Sequence, residues 1–260
     1  MELFKCVMVA FLSSGCVFTL PIGKRVISEP LVNKSRWMTE LWQHIGDKQL
    51  SELYLPKSHD SGTFGIKKDF ILVDRNPLFE LAELVLPDVL VNWSKTQPEN
   101  LWNQLSVGFR AFDLRIVDVG DEDLGNFRWW HGITGETIQE GFTHIRDFAV
   151  QNSQEILLLR FGHFAKPAEG GKQAIPDERK DELADYIIEM LEERMVVHNS
   201  VPENPTVNQV LATGKNIIAL VDDAYICAKH VGFWPPTAVA SKWTGRSNSE
   251  DLFNQRSELL

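Results

Sequence analysis

Cysteine is scarce in this 260-residue chain: there are three, and Cys6 and Cys16 both lie near its beginning. That leaves Cys227 as the one cysteine in the body of the chain, which excludes an internal disulfide framework and makes stability depend on a hydrophobic core. Basic residues are outnumbered, with 26 Lys and Arg against 36 Asp and Glu, and they form no long block. A nucleic-acid partner therefore finds no basic surface to bind. No apolar run reaches the length of about 18 residues that a membrane-spanning helix needs. Internal repeats, low-complexity tracts and composition breaks are absent as well. No GxGxxG or GxxxxGK[ST] follows a strand-like run, so a nucleotide-binding fold loses its support.

What is present is ordinary globular composition, 43% hydrophobic and 24% charged. The opening MELFKCVMVAFLSSG has an early lysine, a short apolar stretch and then small residues, the layout of a secretory signal peptide. Residues 1–22 are therefore expected to be a cleaved leader and 23–260 one mature, secreted domain with no transmembrane span. The N-x-S triplets at Asn33 and Asn92 fit export, as candidate glycosylation sites.

Short runs rich in Leu, Ile, Val and aromatics read as strands: Leu53–Leu55, Phe109–Val117, Phe127–Trp130, Ile156–Phe161 and Ile217–Val221. Pro56 is expected to end the first. Between them lie helical segments, the clearest from Asp177 to Met195, where Leu183, Ile187, Ile188, Leu191 and Met195 make one apolar stripe behind Pro176. Alternating strands and helices favour an α/β fold with largely parallel strands, an open sheet or a closed barrel.

Three segments carry polar residues that core packing does not explain. His59 and Asp60 follow the first strand. Asp113 and Arg115, two apart in GFRAFDLRIVDVG, share one face of a strand. His131 ends the aromatic run Trp129-Trp130. Each has a bland reading, a structural histidine or an internal ion pair. Together, two histidines, two carboxylates and an arginine at the ends of three successive strands suit attack on a phosphodiester. Histidine can take or give a proton near neutrality because its unperturbed pKa is about 6.5. Arginine stays charged and matches phosphate oxygens, and carboxylates fix imidazole tautomers.

LPKSHDSGTF, GFRAFDLR and WWHG, in that order, resemble the phosphatidylinositol-specific phospholipase C X-domain proteins, with EILLLRFGHF similar to the family's next strand. The resemblance implies a distorted TIM-type (β/α) barrel that cleaves phosphatidylinositol-type phospholipid through a cyclic inositol phosphate, with the polar tail leaving two alternatives, a fragment or a barrel incomplete at the carboxyl end. It places the general base at His59 and the general acid at His131. Asp60 falls on the carboxylate that assists the acid, Asp113 on a supporting aspartate and Arg115 on the phosphate clamp. The implied partner is an inositol phospholipid, or its head group, at a membrane surface.

Calcium-dependent relatives have an acidic residue in place of Arg115, so the resemblance implies no metal and no cofactor here. Lys57 and His163 are further candidates for substrate binding. Trp129, Trp130, Phe233, Trp234 and Pro235-Pro236 are candidates for lipid contact, weighed against the commoner reading that any one tryptophan is a core residue. The polar tail SNSEDLFNQRSELL stands where further strands are expected, including one whose aspartate orients the base histidine. Two alternatives stay open: a secreted binding protein without turnover, and a metal-dependent glycerophosphodiesterase.

Overall fold

The computed structural model describes residues 4–6, 32–120 and 126–241. Most of the expected leader and the whole polar tail lie outside the described residues. The strands are β1 (Phe4–Cys6), β2 (Lys57–Ser58), β3 (Ala111–Asp118), β4 (Phe127–His131), β5 (Ile133–Thr137), β6 (Leu157–Ala168), β7 (Gly171–Gln173), β8 (Ile217–Val221) and β9 (Val239–Ser241). The helices are α1 (Trp37–Glu40), α2 (Trp42–Ile45), α3 (Pro77–Val85), α4 (Pro87–Ser94), α5 (Leu101–Ser106), α6 (Ile138–Gln151), α7 (Asp177–Leu191), α8 (Val207–Leu211) and α9 (Ala224–Lys229).

Strands β2, β3, β6 and β8 run parallel in that spatial order and form the frame of the seven-stranded sheet. The hairpin β4–β5 adds antiparallel to β3, and β7 folds back on β6. A separate parallel pair joins β1 to β9. Helices α5, α6 and α7 pack on one face of the sheet and α1 and α8 on the other, giving a distorted α/β barrel.

Both faces of the parallel strands are covered, and their two-residue alternation sorts the side chains. Phe112, Leu114 and Ile116 of β3, Leu157, Leu159 and Phe161 of β6, and Ile217, Ala219 and Val221 of β8 share a core with α5, α6 and α7. Leu183, Ile187 and Leu191 supply the α7 side of it. Ala111, Leu158, Ile218 and Leu220 point the other way and meet Leu50, Leu55, Val207, Val210 and Trp234. Each Leu-sized side chain buried in these layers contributes about 1.5–3 kcal/mol relative to exposure. Above the second layer, on the same face, the alternation continues into Asp113 and Arg115, Arg160, and Asp222, so the apolar floor carries an ionic layer.

Two expectations need correction. Leu53–Leu55 is not a strand; the strand is Lys57–Ser58, on the far side of Pro56. Proline cannot donate to a ladder, but its carbonyl can accept, and Arg110 N and Ala111 N donate to Pro56 O at 3.0 and 3.1 Å. The aromatic strand is antiparallel to β3, pairing Ile116 with Trp129 and Asp118 with Phe127. Residues 119–126 are too few for a parallel crossover, which takes a dozen or more residues. His131 therefore enters the site from the opposite direction to His59.

Candidate active site

His59 is positioned by the loop that follows β2. Gln97 Nε2 donates to His59 O at 2.7 Å, and Thr63 N donates to Asp60 O at 3.0 Å, closing the turn Ser61–Gly65. Below it, Ser58 Oγ donates to Gln104 Oε1 at 2.6 Å while Gln104 Nε2 donates to Ser61 O at 2.9 Å. Asp60 has a left-handed backbone (φ 47°), one of the few non-glycine types that tolerate it. Gly62 must be glycine because a Cβ would lie 2.5 Å from the Trp129 ring. Ser-His-Asp-Ser-Gly-Thr is thus a turn pressed onto the aromatic strand that brings His131.

The polar side chains converge. His59 Nδ1 lies 2.9 Å from Asp113 Oδ2, and His59 Nε2 lies 3.1 Å from Asp60 Oδ2. His131 Nε2 is 3.5 Å from that same Asp60 oxygen. Arg115 Nε approaches Asp60 Oδ1 to 2.5 Å, and its NH2 lies 3.4 Å from Asp113 Oδ2. The Asp60 side chain is 0% exposed, whereas His59 and His131 keep 31% and 35% of their side-chain surface open. The carboxylate is inside and the imidazoles face out. Neither Asp60 oxygen has a directed hydrogen bond, so its contacts are ionic.

These surroundings divide the two carboxyls. Burial raises the pKa of Asp60 above its ordinary value, against the pull of His131, Arg115 and His59. Burial acts on Asp113 too, but the His59 hydrogen bond and the Arg115 and Lys57 charges outweigh it. Asp113 is held well below the usual carboxylate range. It therefore accepts from His59 Nδ1–H and leaves Nε2 as the nitrogen that faces the site. Asp113 on β3 is thus the carboxylate that orients His59 among the described residues. His131 is fixed by a backbone carbonyl: its Nδ1 donates to Ser94 O at 3.1 Å, turning Nε2 inward.

The cavity they share has a volume of about 420 Å3 and is lined by Lys57, His59, Asp113, Arg115, His131, Arg160, His163 and Asp222. Arg160 and Asp222 were not singled out from the sequence. Arg160 Nε lies 3.1 Å from both Asp222 oxygens and its NH2 2.9 Å from Oδ2, a bidentate pair. The signal was present: Arg160 interrupts an apolar strand as Arg115 does, and Asp222 directly follows one. The polar neighbour Ser94 left no such mark.

Ligand atoms of His59, Asp60 and Asp113 lie within 4.8 Å of one another, a donor set that could approach a metal ion. The fit fails on charge. The Arg115 guanidinium lies against both carboxylates and would repel a divalent cation.

The aromatic candidates for lipid contact are core residues instead. Trp129 and Trp234 are fully buried, Trp130 and Phe233 nearly so, and Pro235 and Pro236 are half-buried. Among the described residues, six exposed large apolar side chains cluster on α3, α4 and the residue joining them, Leu78, Leu81, Leu84, Val85, Leu86 and Trp93, while others such as Val107, Val150 and Val231 lie elsewhere. This surface adjoins the site through Ser94, which ends α4. Asn33 and Asn92 are both exposed.

Fold and cavity together define an α/β barrel protein whose pocket gathers two imidazoles, a guanidinium and their carboxylates. In sequence the chain is similar to the PI-PLC X domain-containing proteins. It is 35% identical over 148 residues to human PI-PLC X domain-containing protein 2, covering 55% of this chain and 48% of that protein. To human PI-PLC X domain-containing protein 1 it is 25% identical over 222 residues, 83% of this chain and 65% of the relative. A Dictyostelium discoideum PI-PLC X domain-containing protein is 45% identical over 86 residues, 32% of this chain and 14% of its own length. No family model matches. In three dimensions the chain is similar to a phosphatidylinositol-specific phospholipase C of Staphylococcus aureus, with a TM-score of 0.54 and 18% identity. That match covers 82% of this chain and 60% of the bacterial one, and it shows the fold. The matches thus span less than two thirds of the length of each of these relatives, and less than half of most.

Proposed function

We propose that this protein is a phosphodiesterase of the phospholipase C type, cleaving phosphatidylinositol-type lipid between phosphate and diacylglycerol. The observation that carries the reading is that one buried carboxylate, Asp60, lies within 3.5 Å of His59, His131 and Arg115. All three can therefore reach one phosphate.

His59 Nε2 takes the proton of the inositol 2-hydroxyl as that oxygen bonds to phosphorus. Asp113, kept ionised, holds Nδ1–H and stabilises the imidazolium that forms. The phosphorus–oxygen bond to diacylglycerol breaks as a proton on His131 Nε2 passes to the leaving oxygen. Ser94 O keeps the other ring proton in place throughout. Arg115 supplies the fixed positive charge for the phosphate oxygens, the part a metal ion takes in other enzymes. The products are diacylglycerol and a cyclic inositol phosphate.

A lipid substrate has to be reached at a surface, and no helix among the described residues is long and apolar enough to cross a membrane. The exposed apolar side chains of α3 and α4 are suited to rest in the headgroup region of a bilayer beside the cavity.

The experiment is release of water-soluble inositol phosphate from labelled phosphatidylinositol, first in detergent and then in vesicles. His59→Ala and His131→Ala are each expected to lose at least about 100-fold, the typical worth of one general acid or base. Leu81→Ser with Leu84→Ser is expected to slow cleavage in vesicles only. Folded protein that releases nothing overturns the reading.

A further inference from the structure

Among the described residues only two that are not glycine have left-handed backbones, Asp60 and His163. Both belong to this site. The first turns the chain out of β2, but His163, with φ of 61°, lies inside the strand β6. Residues other than glycine adopt that conformation uncommonly, histidine among the more tolerant, and inside a strand it persists where its surroundings enforce it.

The strand is bulged at that point. Arg115 of β3 pairs with Gly162, yet Val117 pairs with Ala165, so β6 carries one residue more than its neighbour. Without the extra residue, position 163 would follow Leu159 and Phe161 into the core under the helices, where an imidazole has no polar partner. The bulge instead leaves His163 exposed and on the cavity wall. Two contacts hold it there. Trp130 Nε1 donates to His163 O at 3.1 Å, and Gly162 packs so tightly that a Cβ would lie 3.0 Å from Asp222 Oδ2.

We infer that His163 is a substrate-binding residue whose imidazole N–H donates to a non-bridging oxygen of the phosphodiester. It reaches that oxygen from the β6 side of Arg115 while His131 stands on the β4 side. The inference rests on the phosphodiesterase reading. Among the other donors on this wall, Arg160 is held bidentately by Asp222, Lys57 lies near Asp113, and Arg115 divides itself between the phosphate and the carboxylates of Asp60 and Asp113. A phosphate with two open oxygens has room for a second hydrogen-bond donor beside Arg115, and the bulge supplies one on the β6 side.

The test compares the parent with His163→Gly and His163→Asn. Glycine accepts the left-handed backbone without strain and removes the imidazole. Asparagine tolerates the same backbone and restores an N–H donor. Binding of glycerophosphoinositol, the soluble head-group diester, is measured by calorimetry, and turnover on a short-chain phosphatidylinositol. For His163→Gly the Kd and KM are expected to rise about tenfold or more, the worth of one hydrogen bond to a charged group, with kcat within about threefold. His163→Asn is expected to recover most of that loss. Parent affinity in His163→Gly, or no recovery in His163→Asn, overturns the role of His163 and leaves the parent's activity standing. A folded parent that neither binds the diester nor cleaves lipid overturns the phosphodiesterase reading and this inference with it.

Discussion

Two arginines five residues apart serve the strand β3 in opposite ways. Arg110, just before the strand, is closed in: its side chain and that of Glu155 are both 0% exposed. Its Nε and NH2 donate to Glu155 Oε2 at 2.9 and 2.7 Å, and its remaining N–H groups reach the carbonyls of Leu105, Phe109 and Ser35. Glu155 in turn accepts from Thr39 N and Thr39 Oγ1, pinning α1 beneath the sheet. Arg115 sits among two carboxylates and two half-open imidazoles, and its Nε has no directed hydrogen bond. The first arrangement is satisfied and shut, the second unsatisfied and open. In barrels of this kind, charge at the entry end of the strands serves stability and charge at the exit end serves chemistry.

The sharpest way to break this comparison is at the closed end. Glu155→Leu leaves a buried guanidinium that cannot give up its proton, and frees the amide of Thr39. It is expected to cost about 3–5 kcal/mol of stability, as broken buried pairs do. Urea unfolding measures this, and activity should fall only with the folded fraction. A loss under about 1 kcal/mol would mean that water or rearrangement replaces the pair, and the contrast with Arg115 would fail.

At the open end the effect is expected on rate. Arg115→Ala removes a charge next to Asp60, a carboxyl whose burial already raises its pKa, so protonation can absorb much of the cost. Stability should change by less than about 1–2 kcal/mol, while cleavage drops at least about 100-fold, as when a preorganised donor is removed. The parent should keep its rate in excess chelator, since Arg115 holds the place that a cation would need. A parent rate that collapses in chelator and returns with calcium would move Arg115 out of the phosphate clamp.

Much of this contrast can be seen in the sequence, for physical reasons that differ by residue. Asp113 and Arg115 stand out because charges two apart inside an apolar strand must share a face. His59 and His131 stand out because they end apolar runs at glycine-bearing turns. Arg160 obeys the same rule as Arg115. The burial of Trp129, Trp130 and Trp234 was legible only as a preference, since an indole serves a core more often than a lipid surface and packing decides between them. Nor was the direction of β4, which depends on connection length rather than on its own residues. Lone carbonyl contacts such as Ser94 O to His131 leave no trace in composition, and the bulge at His163 leaves only a histidine after a glycine.

The smallest effect separates the two carboxyls themselves. Asp113 is held below an unfolded value of about 3.9, so the unfolded chain takes up its proton first as pH falls. Its contribution to stability is fully present above about pH 4 and is lost as pH drops toward the folded value. Asp60 is raised, so its sign is reversed: its protonated form favours the folded state, and that contribution is present below about pH 4 and lost as pH rises through the folded value. Urea titrations at successive pH values should therefore show Asp113→Asn with a shallower acid limb than the parent. For Asp60→Asn, the stability relative to the parent should improve as pH rises above about 4. Identical pH slopes in the two variants would mean that the carboxyls titrate as one unit. In that case the division of labour between a charged brace for His59 and a buried partner for Arg115 and His131 would not exist.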